Sequence, residues 1–140
     1  MNPVDAARRW AQTWQRAWEA LEPEPIVALY APHATLSTEP FREPYRGRGG
    51  VRTYVTRVLA EEEDPRVAVS VPIVHGDRAS ISWWASLREE DADTTLAGTS
   101  VLTFDPDGLV VEQWDTWNVV RERRQPPYPS PFTRRSPAGA

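Results

Sequence analysis

Hydrophobic residues in this chain recur at two different intervals, and the point where one interval replaces the other sets the order of the architecture. From Pro3 to about Glu22, the residues Ala7, Trp10, Trp14, Ala17, Trp18 and Leu21 repeat at spacings of three and four, the stripe of an amphipathic helix. Asn2 suits its cap and Pro3 its first turn. Glu22-Pro23-Glu24-Pro25 interrupts that stripe, and Ile26, Val27, Leu29 and Tyr30 read as a short second helix closed before Pro32. Residues 34–38 are β-prone and open onto a loop, 39–50, that carries Pro40, Pro44 and three glycines. Val51, Tyr54, Val55, Val58 and Leu59 then give a third helical stripe, which ends in the acidic run 61–64. Beyond Pro65 the period falls to two. Runs at 67–74, 79–87, 95–104 and 109–120 are separated by short turns, the pattern of an antiparallel meander. Helices first and strands afterwards predict an α+β fold, three N-terminal helices packed on a curved antiparallel sheet.

At 140 residues the chain has the size of one domain, expected over 1–124. Residues 125–140, rich in Pro, Ser, Arg and Gly, read as a mobile tail. No apolar run approaches the roughly 20 residues that span a bilayer, and the N-terminal segment lacks the apolar core of a secretory signal, so no membrane association is expected. The absence of cysteine excludes disulfides and thiolate metal sites and fits a reducing cytoplasm. With a net charge of -4 and arginines scattered among acids, no nucleic-acid surface is indicated.

Several local segments resemble the NTF2-like fold in its SnoaL-like and ketosteroid-isomerase branches. They are Leu29-Tyr30-Ala31 with Ala34-Thr35, Glu39-Pro40-Phe41, Arg46-Gly47-Arg48, Thr103-Phe104-Asp105 with Gly108, and Glu112-Gln113-Trp114-Asp115. The resemblance runs from about Ala7 to Asn118 and implies a cone with its site between the concave face of the sheet and the helices. It sets Trp14 where the isomerase has its oxyanion-hole tyrosine and Ser100 where it has a protonated aspartate, so steroid isomerisation is not expected. Trp114-Asp115 resembles the segment that carries the base of SnoaL-type polyketide cyclases, which implies proton abstraction without a cofactor by Asp115.

Alternation along the last strand puts Gln113, Asp115 and Trp117 on one face and Glu112, Trp114 and Thr116 on the other. The resemblance makes the first face concave, together with Ile81, Trp83, Ala85, Leu96, Gly98 and Ser100. The expected cavity is lined by Trp14, Tyr30, Phe41, Tyr54, Val55, Trp83 and Trp117, with Gly98, Ser100 and Gln113 among its binding residues. A carboxylate among such aromatics resists ionisation and suits base catalysis, so Asp115 and then Glu39 are the catalytic candidates. The plain alternatives are a structural acceptor or a partner of Arg52 for Asp115, and a solvated loop position for Glu39. Trp10 and Trp18 are assigned to packing, residues 61–64 to a solvated helix end, and His33 and His75 to the surface, with no metal site. The expected ligand is a small hydrophobic or aromatic molecule, and the expected role an acid-base enzyme. The alternatives are a noncatalytic binder and an assembly module. Trp84 and Trp114 should face the convex side, where exposed indoles point to a homodimer through the sheet.

Overall fold

The computed structural model describes residues 1–133. Its helices are α1 (Pro3–Glu19), α2 (Pro23–Val27) and α3 (Gly47–Ala60). Its strands are β1 (Tyr30–Ser37), β2 (Tyr45–Arg46), β3 (Glu63–Val69), β4 (Ile73–His75), β5 (Arg78–Glu89), β6 (Ala92–Phe104) and β7 (Val110–Val120). Helix α1 begins where expected because the Asn2 side chain accepts the Asp5 N–H at 2.8 Å and Pro3 occupies a position that needs no donor.

Helix α2 stops at Val27, and Tyr30, expected to close that helix, opens β1 instead. The reason is tertiary: the Leu29 carbonyl accepts the Val110 N–H at 2.9 Å, which ties the segment to β7. The expected strand at 67–74 divides into β3 and β4. Between them Ser70 pairs with Ser82 through its backbone N–H and its hydroxyl, and Pro72 has no N–H to continue the ladder.

The sheet is mixed rather than antiparallel throughout. Its order is β2-β1-β7-β6-β5-β3, with β4 also on β5. The hairpins give β5, β6 and β7 their antiparallel pairing, whereas β1 lies parallel to β7, with Leu36 opposite Gln113. Alternation within a strand carries no information about the direction of a distant neighbour.

The core fills the space between the concave face and the helices. Ile81, Leu87 and Leu102 on the sheet are fully buried, as are Val51 and Val55 on α3, while Trp10 and Trp18 on α1 are all but buried. Each such aliphatic side chain contributes about 1.5–3 kcal/mol of burial free energy. Of the segment expected as a tail, residues 125–133 run back over the protein. The Arg124 carbonyl accepts from Trp84 Nε1 at 2.9 Å and Ser86 Oγ at 3.0 Å, Phe132 packs against the core, and Gln15 on α1 bonds Thr133 and Ser130. The rest of that segment, 134–140, lies outside the described residues. On the convex side Trp84 is therefore held by its own chain, while Trp114 is half exposed beside the Arg78 guanidinium. No helix among the described residues is long and apolar enough to cross a membrane.

Candidate active site

A cavity of about 330 Å³ lies between the concave face and the helices, within the range of small-molecule sites. Strand register builds its floor: Ser100 sits opposite Asp115 and Ile81, and Gly98 opposite Trp117 and Trp83. A Cβ at position 98 would lie 2.5 Å from Trp83 Cζ2 and 2.8 Å from Trp117 Cβ. Glycine is what lets the two indoles close over the strand. Helix α1 supplies Trp14 and Trp18 to the same wall at a one-turn spacing, and Trp18 meets Trp83 with ring centroids 5.8 Å apart.

Two hydrogen-bond chains converge on one oxygen. In the first, Trp10 Nε1 and Trp14 Nε1 both donate to the Tyr30 hydroxyl at 3.3 Å, Tyr30 donates to Gln113 Oε1, and Gln113 Nε2 donates to Asp115 Oδ1 at 3.0 Å. In the second, Trp83 Nε1 donates to Ser100 Oγ at 3.0 Å, and Ser100 donates to Asp115 Oδ1 at 2.6 Å. An indole N–H can only donate, so Tyr30, which takes two of them, is fixed as the donor to Gln113, and Ser100, which takes one, donates to the ionised carboxylate. Tyr30 has both lone pairs occupied and must donate to Gln113, which turns the Gln113 amide nitrogen toward Asp115. Ionised Asp115 thus accepts twice on Oδ1, and a proton taken up on Oδ2 leaves both of those bonds in place. Oδ2 receives no hydrogen bond among the described residues, and the only fully buried side-chain polar atom there without a partner is Arg9 Nε. Oδ2 is thus open to the cavity, as is the Tyr54 hydroxyl, which also lacks a partner.

Burial raises the Asp115 pKa to about 6, against the opposing effect of the bonds from Ser100 and Gln113. Burial pushes the Tyr30 and Tyr54 phenols well above the ordinary range, and both feel the charge of Asp115. A second acid lies on the same cavity wall. Glu62, between α3 and β3, is 7% exposed, accepts Trp18 Nε1 at 2.6 Å on Oε1, and is raised by burial to about 7.

Several expectations need correction. Phe41 is fully exposed and forms no part of the wall. The loop that carries it turns outward, where Arg42 Nε meets Glu39 at 2.6 Å. Glu39 itself lies at the cavity mouth, as does Trp117, whose Nε1 donates to the Thr38 carbonyl. Tyr30 is fully buried behind the wall rather than in it, and Gly98 lies beneath the indoles. Tyr54, Val55, Trp83, Ser100, Gln113 and Asp115 do line the cavity, as does Trp14. Arg52 pairs with Glu24 at 2.7 Å and not with Asp115. Trp10 and Trp18 are more than packing, since each donates into the polar framework, and Glu62 is not a solvated helix end. The one available signal for Glu62 was Trp18, an indole at a core position in need of an acceptor. No group of three or more metal-ligating side chains occurs among the described residues.

The family described as the SnoaL-like domain matches residues 9–113. No curated protein matches the sequence. Among solved structures, a hypothetical protein from Catenulispora acidiphila DSM 44928 has a ketosteroid isomerase-like fold and was determined in complex with trimethylamine. It is 18% identical over 74% of this chain and 81% of that one, with a TM-score of 0.66. SalBIII, an epoxide hydrolase/cyclase-like enzyme of pyran ring formation in the polyether salinomycin, is 14% identical over 83% of this chain and 97% of its own, with a TM-score of 0.69. At these identities the likeness establishes the fold.

Proposed function

The chain belongs to the SnoaL-like domain family, and on that premise we propose that its cavity is a cofactor-independent acid-base site acting on a carbonyl-bearing aromatic or polycyclic metabolite. The observation that carries the proposal is the arrangement around Asp115, where two one-way hydrogen-bond chains hold Oδ1 and leave Oδ2 free toward the cavity. A carboxylate whose pKa lies near 6 is ionised at neutral pH yet basic enough to take a proton from activated carbon.

In the proposed step, Oδ2 removes a proton from the carbon next to the substrate carbonyl. The C–H electron pair passes into the enolate, whose oxygen accepts a hydrogen bond from the Tyr54 hydroxyl. Tyr54 is suited to this because its raised pKa keeps it protonated. The enolate carbon then either attacks a second carbonyl of the same molecule, closing a ring while the oxygen of that carbonyl takes the proton back from Asp115, or recovers the proton at another position. The indoles Trp14, Trp83 and Trp117 favour a flat substrate.

Proton exchange tests the step without a known product. A panel of aromatic and polycyclic ketones is incubated in deuterated water with wild type and with Asp115→Asn, and loss of the α-proton is followed by NMR. Wild type is expected to exchange at least one panel member, and the variant to lose at least about 100-fold of that rate. Equal exchange by the two proteins would remove Asp115 from the chemistry.

A second reading, a noncatalytic binder, is favoured by the row of indoles beside two carboxyls that no Lys or Arg pairs with among the described residues. Indoles and carboxylates together also suit an organic cation, and the Catenulispora protein was determined with trimethylamine. This reading predicts tight binding of amines with no exchange.

A further inference from the structure

Among the described residues, Glu62 is the one buried acid that the proposed chemistry leaves unused. Its side chain is more than nine-tenths buried, and Trp18 occupies Oε1. Oε2 has no partner, yet it is absent from the buried unpartnered atoms and so opens onto the cavity. No cation neutralises Glu62 among the described residues. The charged groups that act on it are Glu61 beside it in sequence and Glu89 on β5, both of like sign, and Glu89 already holds Arg121 at 3.6 Å. Tyr54 on α3 lies close enough to both acids to feel Asp115 and Glu62. An isolated carboxyl in these surroundings is held in its protonated form up to about neutrality, where it is a hydrogen-bond donor rather than a counter-ion.

The two acids line the same cavity and are linked through its aromatic wall. Asp115 takes its bond from Ser100, Ser100 from Trp83, Trp83 lies against Trp18, and Trp18 donates to Glu62. Two indole rings, with centroids 5.8 Å apart, stand in the chain of contacts between the carboxyls. We infer that Glu62 is the far anchor of the site, donating from Oε2 to an acceptor oxygen at one end of a flat ligand about two fused rings long, whose other end meets Asp115. This rests on the cavity being a ligand site but not on Asp115 acting as a base. It narrows the substrate class to molecules with a polar group at each end, and it makes Glu62 a positioning residue.

The test uses two matched naphthols in calorimetric titrations at about pH 6, below the point at which Glu62 ionises. 6-Acetyl-2-naphthol offers a hydroxyl to Asp115 and a carbonyl oxygen to Glu62, whereas 6-isopropenyl-2-naphthol has the same shape without the acceptor. Wild type is expected to prefer the acetyl compound by about fivefold to tenfold, the worth of one hydrogen bond. Glu62→Gln, which keeps a donor, retains the preference, and Glu62→Leu loses it. A purely structural Glu62 would weaken both ligands alike and leave their ratio at the wild-type value. Equal binding of the two compounds by wild type, or a preference that survives in Glu62→Leu, overturns the inference and leaves the Asp115 chemistry standing. Failure of both compounds to bind wild type overturns it together with the reading of the cavity as a ligand site. Should Glu62→Leu not fold, the wild-type ratio decides the matter alone.

Discussion

Replacing Asp115 with Asn removes a charge while keeping an acceptor oxygen in the place where Ser100 and Gln113 point, so it isolates what the ionised carboxylate costs the fold. The folded pKa of about 6 stands above the ordinary 3.8. The native state therefore holds its proton more tightly than the unfolded chain, and wild-type stability falls as pH rises from about 4 to about 6 and then levels off with respect to this group. At about 1.4 kcal/mol per tenfold change, the gap amounts to about 3 kcal/mol, an upper figure because Oδ2 keeps contact with the cavity. Urea unfolding followed by tryptophan fluorescence at about pH 4 and about pH 8 measures it. Any steric cost of the amide is the same at both pH values and cancels. The stability difference between Asp115→Asn and wild type should thus move by about 2–3 kcal/mol in favour of the variant between the two conditions. Glu62 titrates in both proteins and drops out of the comparison. A difference that does not change with pH would refute the claim that burial, rather than exposure to bulk water, governs this carboxyl.

Three further outcomes follow from the geometry. Tyr30→Phe leaves the Trp10 and Trp14 N–H groups without their acceptor and frees the Gln113 amide to turn, and should cost about 2–4 kcal/mol in urea unfolding. Gly98→Ala drives a methyl group into the Thr116 carbonyl and the Trp83 ring, each 2.5 Å from the new Cβ. It should lose about 1–3 kcal/mol and shift the Trp83 indole N–H signal in the proton NMR spectrum. Phe41→Ser should leave stability and ligand affinity within about 0.5 kcal/mol of wild type, since the ring touches no part of the wall, and a larger loss would return Phe41 to the site.

The wall of the site was legible in the sequence because it depends on periodicity. Trp14 follows from a helical stripe, and Trp83, Ser100 and Asp115 from alternation once a concave face is assigned. Periodicity puts Tyr30 near the site but in a helix, since only its pairing with β7 distinguishes a strand start from a helix end. Glu62 was hidden by its neighbours: one buried acid among four consecutive acids looks like a solvated run, and its burial comes from a contact with Trp18, 44 positions away. Phe41 misled in the opposite sense, because a loop of prolines and glycines leaves the direction of an aromatic ring undetermined. The parallel placement of β1 belongs to the same class, decided by long-range pairing rather than by anything local.

The fixed polarity of the two chains has a consequence for isotope traffic. A proton on Asp115 cannot pass inward along either chain, since each ends on an indole that has no lone pair with which to receive it. The rear of the site is insulated, and exchange with bulk water runs through the open side of the cavity. A bound substrate that covers part of the mouth slows that route. Some of the label taken from such a substrate would then be carried from one carbon to another within the same molecule, while the remainder is washed into the solvent.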